Sequence, residues 1–470
     1  MKALESLHFF LPELFLVCGA FIALAADLLV HNKKTIATLS LLTLAGALGL
    51  CFIPQTGHYL FGGLLVLDNF THFFRILAIS IMLISVLISW AYKEMNTLYE
   101  GEYYCLILFM TFALLLMASA LNLLMIFLAI EFVSVLSYIL TGFLKTDPKS
   151  KEAALKYFLF GSLATGVMLF GMSLLFGATG SLDLVVIGKI LAGNHYLPIT
   201  IFSLLLVITG LGFKISSVPF HMWAPDVYEA APTPVSALLT VAPKALGFAV
   251  LIRFLGTFLW MESKWQPLMV LLSILTMTLG NLVAISQTNI KRLLGYSSIA
   301  QAGYMLIGIA TFNSWGILGI MVYLTSYTLM NLGAFAVIIA VSNSLGTDDI
   351  QSYAGLSKRS PVLAGFFAVF LLSLAGIPPT AGFIAKLYLF SSAIEAKQVL
   401  LVIAAAINSV IAAFYYFKII KLMYLSHATH EEPIKHAAPL TLALALLFAG
   451  TLFLGIYPAP FLQFAKSMLF

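Results

Sequence analysis

Residues Gly210–Val235 read GLGFKISSVPFHMWAPDVYEAAPTPV. They follow an almost wholly apolar run, ITIFSLLLVITG (199–210), yet contain Lys214, His221, Asp226, Glu229 and four prolines. Proline removes a backbone donor and clashes with the preceding turn. In hydrocarbon, the freed polar groups persist only where protein or water satisfies them. The stretch therefore predicts a membrane helix interrupted part-way, with water reaching a buried lysine, and His221 and Tyr228 extending the path. Asp226 and Glu229 read as residues of the surface beside the break.

Composition agrees with a membrane chain. The 470 residues are 61% hydrophobic and 9% charged, with a mean hydropathy of +1.05; a soluble chain is about 25% charged. In such a chain a net charge of +5 does not indicate a nucleic-acid partner. The expected surroundings are a lipid bilayer. Cys18, Cys51 and Cys105 lie in or beside apolar runs, without the spacing of a disulfide framework or a metal site. The first 30 residues carry Glu5 and Glu13 and only Lys2 as a basic flank, so they read as a retained helix, not a signal peptide.

A crossing needs roughly 20 mostly apolar residues. Fourteen such spans are readable: 9–30, 35–53, 73–92, 103–119, 122–143, 152–178, 199–218, 234–258, 266–286, 294–311, 315–342, 361–396, 399–425 and 438–456. Alternate loops fall on opposite sides. One side carries 13 of the 24 basic residues, among them Lys33, Lys93, Lys149, Lys291 and Lys358; the other carries 5: Lys2, Lys189, Lys264, Lys397 and Lys466. The positive-inside tendency makes the first side cytoplasmic and puts both termini outside. For a bacterial inner membrane, both termini would be periplasmic.

The fold expected is an all-α polytopic membrane protein of about 14 transmembrane helices. An N-terminal three-helix segment (1–102) precedes two five-helix blocks (103–258 and 266–425), and 426–470 holds the last helix. The fourth span of each block is broken by proline: 199–232 with its loop, and 361–396 with GIPPTAG (376–382). An odd number of spans per block inverts the second relative to the first, a transporter arrangement. Aligning KYFLFGSLATG (156–166) on RLLGYSSIAQAG (292–303) sets Lys156 on Arg292.

Glu131 and Lys244 lie about ten residues inside their spans, roughly 15 Å deep. Lys214 and Lys386 lie beside the two breaks. Snorkelling suits charges near helix ends, such as Lys156, Arg75 and Arg253, but not Glu131 or Lys244. A central charge costs roughly 2.5–3.5 kcal/mol on insertion scales, and one carboxylate cannot neutralise three lysines. Such an excess suits a proton carrier. Lysine outside a protein titrates at about 10.4; loss of water disfavours its charged form and a nearby carboxylate favours it. At an assumed separation of about 7 Å and an effective dielectric of about 20, that attraction is about 2.4 kcal/mol. Moving or protonating Glu131 would then release a proton from its partner lysine. The candidate proton-translocating residues are Glu131, Lys214, Lys244 and Lys386, with Lys156 and His221 as secondary candidates.

These same stretches carry a family resemblance. GFKISSVPFHMWAPDVYEAAPTPVSALL (212–239), AIEFVSVLSYIL (129–140), NIKRLLGYSSIAQAGY (289–304) and GIPPTAGFIAKLYLF (376–390) resemble the antiporter-like subunits of respiratory complex I. The resemblance implies a Glu131–Lys214 pair in one half-channel, Lys244 as central relay and Lys386 as exit-side carrier. It implies as partners the neighbouring membrane-arm subunits K and M and a transverse helix from L. FMN, iron–sulfur clusters and quinone are expected in other subunits. The chain has no room for the lateral helix of the L type, and Lys386 stands where the M type typically has glutamate. Gln301 occupies a position where many members have a titratable histidine, which interrupts a chain of titratable groups there.

No GxGxxG after a strand, flavin signature or cysteine cluster appears, so no redox chemistry is expected in this chain, and no metal. The loop HATHEEPIKH (427–436) has no recognised metal-ligand spacing and reads as a solvated loop. A subunit of a multi-chain cation/proton antiporter and a membrane subunit of an energy-converting hydrogenase remain alternatives of the same ancestry. A non-conducting scaffold is disfavoured by the buried Lys and Glu residues.

Overall fold

The computed structural model describes residues 3–53, 57–90, 92–95, 99–193, 197–427, 432–434 and 437–469. Lys2, Lys435 and most of the 427–436 loop lie outside the described residues. The elements in order are α1 (Ala3–His8), α2 (Leu11–Leu29), α3 (Lys34–Cys51), β1 (His58–Leu60), β2 (Leu65–Leu67), α4 (Asn69–Ser89), α5 (Glu100–Ser119), α6 (Leu123–Thr141) and α7 (Pro148–Thr179). Then come α8 (Leu184–Gly193), α9 (Leu197–Ile215), α10 (Ala224–Ala230), α11 (Thr233–Gly256), α12 (Glu262–Ala284), α13 (Ile290–Thr311) and α14 (Ser314–Leu345). The chain continues through α15 (Leu356–Arg359), α16 (Pro361–Ala375), α17 (Ala381–Glu395), α18 (Val399–Leu425), α19 (Ala438–Ile456) and α20 (Ala459–Ser467).

Among the described residues, thirteen helices are long and apolar enough to cross a bilayer. The span read at 361–396 is two 15-residue helices, α16 and α17, each about 22 Å long. Neither crosses about 30 Å of hydrocarbon alone; end to end they form one further crossing. The protein is thus an all-α polytopic membrane protein. The antiparallel hairpin β1–β2 and the short helices α8 and α20 were not read from the sequence, because none is long enough to give a hydropathy signal. Asp68 shifts the start of α4 ahead of the expected 73 by accepting from Thr71 N at 2.7 Å.

Contacts between loops sort them onto two faces, as alternation requires. Lys93 N donates to Asn343 Oδ1 (3.0 Å) and Lys291 pairs with Asp348 (3.4 Å) on the lysine-rich face. Leu123 N donates to Leu182 O (2.8 Å) and Asn69 to Ser467 O (3.3 Å) on the other. The core is central: the membrane windows of α11, α13 and α14 are 100%, 94% and 89% buried, against 33% for α2, α18 and α19. The helices carrying Lys244, Gln301 and Asn331 are therefore screened from lipid by the rest. The backbones of α12 and α13 nearly touch. A Cβ on Gly280 would sit 2.6 Å from Ala300 N, and one on Gly303 2.4 Å from Met277 N, the small-residue contact of membrane helix pairs.

Two connections repeat one geometry. Asn122, which caps α6, bridges Asp183, just past α7; Asn289, which caps α13, bridges Asp349, just past α14. α7 and α14 are both 32 residues and both end on a left-handed glycine, Gly180 and Gly346. One bridge lies on each face. Matched by these bridges, α6 stands where α13 does and α7 where α14 does, whereas the alignment of Lys156 on Arg292 sets α7 on α13. Counting from the two asparagines sets Glu131 level with Ser298, and Ser134 level with Gln301.

Candidate functional site

α9 stops at Ile215, one residue beyond Lys214; Ser216 takes φ +59 and Pro219 follows. Lys214, 2% exposed, donates from Nζ to Ser134 Oγ at 3.1 Å. Ser134 in turn donates to Ile130 O (2.7 Å). Glu131 lies one turn earlier on α6. It makes no direct ion pair with Lys214, and its Oε1 is buried without a protein hydrogen-bond partner. One turn the other way stands the buried Tyr138 hydroxyl, and Gly161 of α7 leaves room for it: a Cβ there would lie 1.9 Å from Tyr138 OH. His221 is buried in the break, its Nδ1 without a protein partner.

Lys244 follows Pro243 inside α11 and is 1% exposed. Its Nζ donates to Ser298 O at 2.8 Å and to the Ser298 hydroxyl, 6.0 Å from the centre of the Tyr228 ring. Lys386 on α17 reaches back across the second break. Its Nζ donates to Ala375 O, the last carbonyl of α16, at 2.8 Å, and lies 4.6 Å from the centre of the Tyr304 ring. A cation at a helix C-terminus complements the unpaired carbonyls there. Gly376 caps α16 at φ +87, and a side chain there would meet the lysine stem.

A cluster of neutral polar groups around Gln301 lies between the residues that hold these last two lysines. Ser297, next to Ser298, bonds Tyr416 OH. Tyr416 OH accepts from Gln301 Nε2 at 3.4 Å, and Gln301 Nε2 also donates to Leu374 O at 3.2 Å, one residue before the carbonyl that holds Lys386. Tyr323 OH donates to Gln301 Oε1. Gln301 is thus a hydrogen-bonded bridge in a buried cluster, though it cannot itself titrate. Sequence reading did not single out Ser134, Ser298, Tyr304, Tyr323 or Tyr416. Helical spacing was their only signal, with Ser134 and Tyr138 following Glu131 at three and seven residues.

Lys156 lies elsewhere. Its side chain is 41% exposed and pairs with Glu152 (2.8 Å) and Asp226 (3.0 Å) at the lysine-rich face. Arg292 pairs with the other Asp226 oxygen and with Glu229, both at 2.8 Å. Burial alone would raise the Asp226 carboxyl, but the bonds and charges of Lys156 and Arg292 hold it below the usual carboxylate range. The structure therefore brings Glu131 and Lys214 to one site, sets Lys244 and Lys386 on either side of the Gln301 cluster, and leaves Lys156 in a surface ion cluster.

The profile of the NADH:quinone oxidoreductase/Mrp antiporter transmembrane family matches residues 120–412. The chain belongs to that family. Among its relatives, an NADH-quinone oxidoreductase subunit N of Trichlorobacter lovleyi is 42% identical, covering 98% of this chain and 96% of the relative. A chain of respiratory complex I from Thermus thermophilus, solved with bound aureothin, is 30% identical with a TM-score of 0.83, covering 97% of this chain and 99% of that one. A chain of the Mrp complex from Dietzia sp. DQ12-45-1b shares the fold, with a TM-score of 0.87 at 20% identity, covering 100% of this chain and 97% of that one. Every helix bearing a candidate proton carrier, α6, α9, α11 and α17, lies inside the family match.

Proposed function

We propose that the chain is the N-type proton-translocating subunit of the membrane arm of an NADH:quinone oxidoreductase, driven by electron transfer in other subunits. The observation that carries this reading is that Lys214, Lys244 and Lys386 are all buried and all held by neutral oxygens. None has its proton locked in a direct ion pair. An uncompensated lysine in hydrocarbon is costly, and three along one molecule make sense as exchangeable carriers. Glu131 supplies a charge near Lys214 without a bond to it, so its protonation or displacement changes the lysine's hold on its proton. Gln301 and the tyrosine and serine hydroxyls carry a proton between Lys244 and Lys386 by relay or by ordering water. His221 and the break at 216–223 connect Lys214 to the lysine-rich face. Lys156 belongs to the surface cluster beside that opening and acts on it from outside.

FMN, iron–sulfur clusters and quinone belong to other subunits, and this chain contributes no redox step. Its neighbours in the arm are subunits K and M, with a transverse helix from L. The lysine-rich face is cytoplasmic and the termini are periplasmic in a bacterial inner membrane. Blocks 103–258 and 266–425 form an inverted repeat; the duplicated Asn–Asp bridges on opposite faces support this.

The test is proton pumping by the assembled complex in inverted vesicles, with Lys214→Ala and Glu131→Ala measured separately beside NADH oxidation and subunit content. Loss of coupled turnover and pumping in an assembled complex is expected. Unchanged pumping per NADH in both variants would sink the carrier reading.

A further inference from the structure

The short helix α10 lies between the break that follows Lys214 and the start of α11, and it is tied down at several points. Asp226 accepts from Lys156 of α7 on one carboxylate oxygen and from Arg292 of α13 on the other. Glu229, one turn on, takes a second bond from Arg292. Trp223, at the N-terminus of α10, stacks on Tyr157 at 4.1 Å and 6°, and Tyr157 is the neighbour of Lys156. The Trp223 indole donates to Phe213 O at 3.3 Å, and Phe213 is the residue before Lys214. At the other end of α10, Tyr228 turns its ring toward Lys244, and its carbonyl accepts from Ser236 Oγ at 2.7 Å.

A carboxylate bridged by cations from two separate helices fixes a position better than one ion pair does, because displacing it in either direction strands a charge. The cluster lines a recess of about 230 Å³ with Lys149, Glu152 and Glu229, so water reaches it. Surface ion pairs contribute little to stability; their information here is geometric.

We propose that Asp226 is a positioning residue for Lys214. Held between Lys156 and Arg292, it keeps α10 where Trp223 engages the Phe213 carbonyl, and so sets the place of Lys214 at the mouth of the break. The inference rests on Lys214 being a proton carrier and extends that reading to the part that aims it. Asp226 itself exchanges no transported proton.

The experiment uses the assembled complex in native vesicles, with Asp226→Asn and Asp226→Glu. Hydrogen–deuterium exchange over 221–231 reports on α10 independently of transport. NADH:quinone turnover per assembled complex reports on function. In Asp226→Asn we expect at least fivefold faster exchange in that segment and at least threefold lower turnover, with subunit content unchanged. Asp226→Glu should recover at least half of both, which loss of bulk or fold would not allow. Unchanged exchange overturns the proposal, as does faster exchange with unaltered turnover. If Asp226→Asn fails to assemble, Lys156→Met and Arg292→Gln each remove one arm. Each should raise exchange at least twofold and lower turnover, and silence in both overturns the proposal. Lys214→Met in the same vesicles tests the carrier reading alone: unchanged turnover there refutes the carrier, whereas the exchange data judge the clamp.

Discussion

Replacing Gly376 by alanine should cripple transport without removing a charge or a titratable group. Gly376 ends α16 at φ +87, and forcing an L residue into the left-handed region costs about 1–2 kcal/mol. The new Cβ would lie 2.8 Å from Lys386 Cδ, 3.2 Å from Cε and 3.3 Å from Nζ. The lysine stem is flexible, so it moves, and Nζ leaves its 2.8 Å bond to Ala375 O. A hydrogen bond to a charged group contributes about 1.5–3 kcal/mol. Every 1.36 kcal/mol is tenfold in rate, so the lower figure predicts a turnover loss of about tenfold if that bond positions the transferring lysine. The assay is NADH:quinone turnover and proton pumping per assembled complex, with thermal stability followed in parallel. Gly365→Ala is the control: it lies inside α16 with nothing within 4 Å of the added methyl, and alanine in a helix interior gains roughly 0.5–1 kcal/mol. Wild-type turnover and stability in Gly376→Ala would refute both the backbone requirement and the positioning of Lys386.

Three further outcomes follow from other contacts. Glu13 and Arg75 form a 2.5 Å pair with side chains 0% and 5% exposed, so Glu13→Leu should cost about 3–5 kcal/mol by stranding the arginine. Assembled complex should fall in the single variant and recover in Glu13→Leu/Arg75→Leu; equal content in both would contradict this. At Asp68, burial would raise the carboxyl, but the hydrogen bonds and charge of Arg253, with the Thr71 amide and hydroxyl, hold it below the ordinary 3.8. Its folded value being depressed, it stabilises above the unfolded pKa, and that contribution fades as pH falls through the lower folded value. Melting curves should show Asp68→Asn less stable near neutral pH, with the deficit closing as pH falls below the ordinary carboxylate range; a deficit constant with pH would refute this. Finally, Gly161→Ala would press a methyl against Tyr138 OH, an overpacking worth about 1–3 kcal/mol next to Glu131 and Ser134. Turnover per complex should drop with assembly intact, and unchanged turnover would show that Tyr138 is free to move without consequence.

Much of the candidate site was legible because its costs are local. A charge far inside an apolar run and a proline in a would-be helix each violate a rule that involves only a few neighbouring residues, so Glu131, Lys214, Lys244, Lys386 and both breaks stand out. Lys156 sits barely inside its span, and hydropathy does not distinguish a surface pair from a buried carrier. Its partner Asp226 lies 70 residues away. The duplicated Asn–Asp bridges were present as LNLL with GSLD and as TNIK with GTDD. These are too short to align without knowing that each pair meets.

The sequence by itself determined the membrane class, the order of crossings, the two interruptions and the residues that hydrocarbon tolerates least. Hydropathy, helix length and proline sterics act along the chain. Only the tertiary structure decided which oxygen receives each lysine, that Gln301 bridges two tyrosines to the end of α16, and that Asp226 ties α10 to both halves of the molecule. Those partners are serines, tyrosines and backbone carbonyls, which cost little in a membrane helix and carry no signature until packing aims them at a charge.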